Sequence, residues 1–328
     1  MKILFIGGTG NISTSVSRLA VEQGFELFLL NRGKSGTEIP GATVLIGDIN
    51  DERGTAELLK GYNWDTIVNW IAYTPEDIER DIRLFAGRTR QYIFISSASC
   101  YQKQIGSPIV TESTPLHNPL WDYSMQKIHC ENLLFEAYRN SGFPITIVRP
   151  SHTYDLLLPV PFGASRDSTI LDRLRKGKRI LVHGDGTSLW TLTHSRDFAK
   201  GFTGLMGNPA AISHAFHITS DELLTWNGII QTIAWSLGTE ANIVHVSSDM
   251  ICRHFPEYRG TLLGDKAHSA IFDNSKIKQF VPTYSADIPF RIGIVETIEK
   301  FNTLPDYQNV NEEMNSKLDD FLDIAENF

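Results

Sequence analysis

The segment Gly7-Gly8-Thr9-Gly10-Asn11-Ile12-Ser13 constrains this chain more than any other. It follows Lys2–Ile6, an apolar run of strand length, and precedes Asn11–Gln23, where Ile12, Val16, Leu19 and Ala20 recur at helical spacing. A tight turn of small residues in that setting lets backbone N–H groups approach a pyrophosphate. The helix N-terminus behind it favours negative charge. Counted from Gly7 the spacing is G-x-x-G-x-x-S, and Ser13 is nearly as small as the glycine often found there. Between a first strand and a first helix the stretch reads as a dinucleotide-binding turn; alone it would be only a turn.

The same alternation continues. Glu26–Leu30, Thr43–Ile46, Thr66–Trp70, Tyr92–Ser96 and Pro144–Val148 read as strands. Asp51–Lys60 (with Asp51 as its cap), Pro75–Ala86 and Tyr123–Asn140 read as helices. Strands alternating with helices predict an α/β fold: a Rossmann-type, doubly wound parallel sheet over residues 1–150 that binds NAD(P). Beyond Pro150 the regularity fades. Helices are expected at Ser168–Lys176, Ser195–Met206 and Trp226–Leu237, and a strand at Arg179–Val182. Asn309–Asn327 is acidic and amphipathic, and predicts a surface helix. Residues 151–328 are therefore expected to form a smaller substrate-binding region over the carboxyl ends of the strands, where this fold places ligands.

A net charge of −8 repels phosphate backbones, so nucleic acid is not an expected partner. The apolar runs are strand-sized, so no membrane span is expected, and because Met1-Lys2 leads straight into a strand no secretory leader is expected either. Cys100, Cys130 and Cys252 are odd in number and scattered, which fits a reducing, cytoplasmic setting and offers no zinc spacing.

At the end of the second strand, Asn31-Arg32 carries no carboxylate for the ribose hydroxyls. Arg32 and Lys34 can instead pair with a 2′-phosphate, which favours NADP over NAD; a solvated basic loop is the alternative. Asp48, in Gly47-Asp48-Ile49, either accepts from the adenine amino group or forms a turn.

Tyr123 and Lys127 lie four residues apart at the start of a predicted helix and so share one face. A phenol is a poor base at neutral pH; a neighbouring ammonium is expected to favour its phenolate. Tyr123 would then take the proton of a carbinol during hydride transfer. Ser97, in Ser96-Ser97-Ala98-Ser99-Cys100-Tyr101 after the fifth strand, can bond the reacting oxygen, or simply cap the strand end.

Together with Val68-Asn69-Trp70-Ile71-Ala72, Val148-Arg149-Pro150, Gly184-Asp185-Gly186 and His194–Ala199, these segments resemble the NAD-dependent epimerase/dehydratase family, the extended short-chain dehydrogenases. The resemblance runs from Met1 to about Lys300. It implies Ser97, Tyr123 and Lys127 as catalytic residues. It implies cofactor contacts from Gly7, Gly8, Thr9, Gly10, Asn11, Ile12, Asn31, Arg32, Lys34, Asp48, Ile49, Asn69, Ala72, Ser96, Tyr123, Lys127 and Pro150. It also implies a homodimer through the helices that include Pro75–Ala86 and Tyr123–Asn140.

Departures from the family pattern narrow the chemistry. Sugar 4,6-dehydratases carry an Asp-Glu pair where this chain has Ala98 and Ser99, so elimination of water is disfavoured. Trp190 stands where many nucleotide-sugar epimerases have a diphosphate-clamping Arg; it would stack on a ring or belong to the core. His152 replaces an Asn that contacts the nucleotide sugar in many relatives, and either meets a substrate hydroxyl or is structural. Arg259 is a candidate for a phosphate contact, or a plain surface residue. With Ser97, Ser99 and Tyr123, these three make the expected substrate side. Leu189-Trp190-Thr191, Gly264-Asp265-Lys266 and Phe272–Lys276 also resemble a branch that includes plant chloroplast stem-loop-binding proteins. The expected function is a sugar or nucleotide-sugar epimerase or oxidoreductase, with no metal. The alternative is a non-catalytic NAD(P)- or RNA-binding protein on the same scaffold.

Overall fold

In the first strand, β1 (Lys2–Ile6), residues Ile3 to Ile6 are all fully buried. A strand apolar on both faces favours parallel neighbours with helices above and below. The computed structural model describes residues 1–34, 36–103 and 107–325 and shows that arrangement. β1 pairs in parallel with β2 (Glu26–Asn31) on one side and β4 (Thr66–Asn69) on the other. β3 (Thr43–Ile46) extends the first side. β5 (Tyr92–Ile95), β7 (Ile145–Val148) and β12 (Ala215–Phe216) extend the second. The result is one seven-stranded parallel sheet in the order β12-β7-β5-β4-β1-β2-β3. The order reverses between β1 and β4, and a crevice opens there at the carboxyl edge.

Alternate residues of β1 feed opposite layers. Ile3 and Phe5 pack with Val16 and Ala20 of α1 (Asn11–Glu22) and with Phe198, Phe202 and Leu205 of α6 (Ser195–Leu205). Leu4 and Ile6 share a cluster with Ile78 and Phe85 of α3 (Pro75–Phe85) and Leu134 of α4 (Asp122–Ser141). α2 (Glu52–Leu58) begins where expected, with the Asp51 carboxylate accepting from the Gly54 N–H at 3.0 Å. Both β12 and α6 come from beyond residue 150, so the later chain completes the first sheet.

The rest is built from short pairings. β8 (His152–Tyr154) runs parallel to β11 (Leu192–His194), and β9 (Arg179–His183) parallel to β14 (Asn242–Val246). β10 (Leu189–Trp190) is antiparallel to β13 (Leu224–Thr225), and β6 (Ile109–Val110) parallel to β15 (Ile271–Phe272). Leu171 of α5 (Thr169–Arg175), Trp226 and Ile230 of α7 (Trp226–Ser236), and Phe290 and Ile294 of α11 (Phe290–Thr303) pack into a core of their own. α8 (Ser248–His254), α9 (Arg259–Thr261) and α10 (Ser275–Phe280) complete the region.

The expected surface helix is α12 (Glu312–Ala325), and the expected end at Asn327 lies outside the described residues. α12 is less superficial than its charge suggests. Leu318, Phe321 and Leu322 are buried against Leu181 and Phe255, and Arg173 donates to Asp319 at 2.7 Å. No helix among the described residues is long and apolar enough to cross a membrane.

Candidate active site

Gly7 and Gly8 turn the chain out of β1 at φ +90° and +105°. A Cβ at Gly8 would lie 2.8 Å from Leu29 Cδ2, and one at Gly7 would lie 3.1 Å from Ile71 Cγ2. Only glycine fits so close a turn without strain. Ser13 Oγ accepts from the Gly10 N–H at 2.7 Å, and Ser17 Oγ donates to the Gly8 carbonyl at 2.8 Å, so small hydroxyl residues fix the turn. The first-turn N–H groups of α1 have no intrahelical acceptors by geometry. The buried Thr14 Oγ1 has no partner among the described residues. Both features fit a pyrophosphate at this turn. Thr9, Gly10, Asn11, Thr14, Arg18 and Lys34 line a cleft of about 1390 Å³ here. Asn11 ties its far wall, donating to Thr153 Oγ1 at 3.3 Å and accepting from the Leu156 N–H at 2.8 Å.

Apart from Lys34, the other expected cofactor residues do not line this cleft. Asn69 is fully buried; its amide donates to Asp81 at 2.5 Å and its oxygen accepts from the Ile71 and Ala72 N–H groups at 2.9 and 2.8 Å. Asp48 Oδ1 accepts from the Asn50 N–H at 3.0 Å, the turn-forming arrangement, and Ile49 is in the core. Asn31 accepts from the Gly33 N–H at 2.9 Å, leaving Arg32 and Lys34 exposed. Ile12 packs against the first core, Ser96 Oγ sits 3.8 Å from Cys100 Sγ, and the Pro150 carbonyl accepts from the Ala98 N–H at 2.9 Å.

Ser97 and Tyr123 line one cleft of about 920 Å³ with Pro150, His152 and Trp190. Ser97 lies two residues past β5 and caps a short helical turn, Ala98–Cys100, by accepting from the Ser99 N–H at 3.2 Å. A chain of hydroxyls runs from Ser97 to Ser99 (2.8 Å) and on to Ser124 (2.7 Å). Asn118 holds it by donating to the Ser99 carbonyl at 2.8 Å. Ser99 is thus 5% exposed and engaged on both sides. Tyr123 opens α4, and Lys127 follows one turn on, its ammonium donating to the carbonyls of Ala72 (2.7 Å) and Ile95 (2.8 Å).

The electrostatics differ from expectation in one respect. Burial pushes the Tyr123 phenol up to about 12, and the hydrogen bond with Ser97 opposes that rise. Burial likewise pushes Lys127 down to about 8. The expected lowering of the phenol by Lys127 does not set its value in the free protein: desolvation dominates, and the opposing influence comes from Ser97.

On the substrate side, Trp190 is 4% exposed, packs on Trp226 at 5.3 Å and donates its indole N–H to His152 Nδ1 at 3.2 Å. Burial pushes His152 down to about 3, so the ring is neutral. Arg259 is exposed and lies outside the residues lining this cleft. Lys103, Trp121, Asp265, Lys266 and Phe272 line it without having been singled out as site residues. Gly264-Asp265-Lys266 and Phe272 were visible only as marks of a branch. What brings them here is tertiary: a Cβ at Gly260 would lie 2.5 Å from Trp121, so α9 docks directly on the start of α4.

A glycine turn at a parallel-sheet switch point, beside a Tyr–Lys helix, defines a dinucleotide-binding protein of the short-chain dehydrogenase type. The chain belongs to the NAD dependent epimerase/dehydratase family, which it matches over residues 3–219. It is 28% identical to the chloroplast stem-loop binding protein of 41 kDa b of Arabidopsis thaliana, over 74% of this chain and 65% of that protein. It is 22% identical to 2'-dehydrokanamycin reductase of Streptomyces kanamyceticus, over 87% of this chain and 80% of that protein. Similar solved folds include UDP-glucose 4-epimerase from Thermotoga maritima with UDP-glucose (TM-score 0.73, 18% identity, 92% of this chain and 99% of that one). Another is dTDP-glucose 4,6-dehydratase from Bacillus anthracis with NAD (TM-score 0.74, 17% identity, 94% and 98%).

Proposed function

We propose that this chain is an NAD(P)-dependent epimerase or oxidoreductase acting on a sugar-type alcohol, with Ser97, Tyr123 and Lys127 as its catalytic residues. The observation that carries this reading is the convergence of Ser97 and Tyr123 in one cleft, with Lys127 beneath the Tyr123 ring and anchored to the ends of β4 and β5. A bound nicotinamide supplies the hydride acceptor. Tyr123 removes the hydroxyl proton, Ser97 holds the oxygen that becomes a carbonyl, and Lys127 fixes the floor and offers positive charge. Gly7, Gly8, Thr9, Gly10, Asn11 and Ile12 hold the pyrophosphate, and the remaining residues of the expected cofactor set hold the rest or shape its bed.

Ala98 and Ser99 leave no carboxylate beside Ser97, which supports hydride and proton transfer over elimination of water. Arg32 and Lys34, exposed and without ion-pair partners among the described residues, support NADP as the preferred dinucleotide. Hydroxyls of Ser151, Ser165, Thr191 and Thr261 around the cleft support a polyhydroxylated substrate. Exposed Tyr138 on α4 supports a homodimer through the helices that include α3 and α4, and three buried free cysteines support a cytoplasmic setting.

The test is Tyr123→Phe. It is expected to lower turnover at least about a hundredfold while the dinucleotide still binds. Near wild-type turnover would remove Tyr123 from the chemistry.

A further inference from the structure

The ionic groups that line the cleft do not cancel. Lys103 and Asp265 form a close pair at 2.7 Å and neutralise each other. Lys266, the next residue, has carbonyl partners only: its ammonium donates to Val160 at 2.9 Å and reaches Pro161 at 3.5 Å, over the Trp226 ring at 5.5 Å. An ammonium has three donors, so one remains, and Lys266 keeps part of its surface in the cleft.

His152 packs on the same Trp226 ring at 6.3 Å. Its Nδ1 accepts the Trp190 indole N–H, so a neutral ring must carry its proton on Nε2. That N–H has no protein acceptor among the described residues. Trp190 is therefore a positioning residue: it fixes the tautomer and hence the polarity His152 presents. One uncompensated cation and one fixed neutral donor share a wall of the cleft that holds Tyr123.

We propose that Lys266 and His152 form an oxyanion pocket, and that the substrate is a polyol bearing a carboxylate or a phosphate ester. Charge-assisted hydrogen bonds from Lys266 and a neutral one from His152 would hold that group and direct the reacting hydroxyl toward Tyr123. The proposal rests on the enzymatic reading above for the role of Tyr123, but the binding itself is independent of turnover.

Burial disfavours the charge on Lys266, pushing it down to about 8, with Asp265 opposing. An anion relieves that penalty, so binding is coupled to the Lys266 proton and weakens as pH rises through that value. The other groups facing Lys266 are Asp265 and Lys103, paired with each other, His152 of β8, His183 of β9 and Tyr123 of α4. Burial holds His152 near 3 and His183 near 4, and Tyr123 near 12, all away from this window.

The experiment is calorimetric titration of the full chain with D-glucuronate, D-glucose 6-phosphate and D-glucose, alone and with NADPH or NADH. At least one anion should bind about tenfold or more tightly than glucose near neutral pH. The gap should narrow as pH rises from about 8 toward 9.5 and Lys266 loses its proton. The two anions distinguish carboxylate from phosphate. Lys266→Met should erase the preference, and Lys266→Arg should keep it at both pH values. Equal affinities, no binding by either anion, or a preference that persists in Lys266→Met overturns the pocket. A protein that binds NADPH or NADH without preferring anions loses this proposal and keeps the enzymatic reading; one that prefers anions but refuses both dinucleotides does the reverse.

Discussion

Lys127 approaches Tyr123 over the face of the ring, 5.8 Å from its centroid, while its ammonium donates to the carbonyls of Ala72 and Ile95 at 2.7 and 2.8 Å. It thus ties together the ends of two central strands and leaves the phenol hydroxyl to Ser97. With the phenol near 12, Tyr123 is fully protonated at neutral pH in the free protein. The positive ring of an oxidised nicotinamide beside it favours the phenolate and pulls the value down. Ultraviolet difference titration of wild type against Tyr123→Phe should therefore show one tyrosine ionising near 12 alone and at least about one pH unit lower with oxidised cofactor bound. Alcohol oxidation should correspondingly quicken with rising pH up to the lowered value. A Tyr123 titration indifferent to the cofactor would separate the phenol from the dinucleotide site.

Gly8 is the position where the turn tolerates least. At φ +105°, with Leu29 Cδ2 only 2.8 Å from where a Cβ would stand, Gly8→Ala meets both backbone strain and a clash with β2. The expected cost is about 1–3 kcal/mol of folding stability, read by urea denaturation, together with loss of dinucleotide affinity. Gly10→Ala is the milder comparison, since a Cβ there meets only Ser13 Oγ at 3.4 Å. Equal effects from the two substitutions would show that the Gly8 contact does not limit the turn.

How far these features were legible depends on what each residue touches. β1 to β5 and β7 are apolar runs bounded by glycines and helix signals, and their identity is local. α11 was missed although Phe290, Ile294, Ile298 and Phe301 recur at helical spacing behind Pro289. The pairs β10–β13 and β6–β15 are two residues long and exist only through partners distant in the chain. Trp190 carries no local sign of its direction; Trp226 and His152 decide it. The four-residue spacing of Tyr123 and Lys127 reveals their shared face but not their burial, and burial sets the sign of the phenol's shift.

Arg32 and Lys34 sit just beyond β2, exposed, with no carboxylate in the Asn31–Lys34 segment to reject a 2′-phosphate. Arg32→Ala should weaken NADP by about tenfold or more and leave NAD nearly unchanged, measured as dissociation constants by fluorescence titration of the reduced forms. Because the contact is solvent-facing, the difference should shrink as salt is added. Equal losses for both dinucleotides would assign Arg32 to the bed of the adenosine rather than to its phosphate.

The helix that carries Tyr123 is anchored by a pair that the chemistry does not use. Arg149, just past β7, forms a two-pronged contact with Glu131 of α4, Nε to Oε1 at 2.9 Å and Nη2 to Oε2 at 2.6 Å, with side chains 4% and 1% exposed. Arg149 also donates to the Tyr101 hydroxyl at 3.2 Å, linking the turn after β5 into the same network. Removing one partner leaves a buried charge alone, so Glu131→Gln and Arg149→Met should each cost about 3–5 kcal/mol in denaturant unfolding. The double variant removes both charges and should lose clearly less than the sum of the two single losses. Additive losses would mean that the two side chains stabilise the protein separately, and that α4 is held to β7 by its apolar contacts alone.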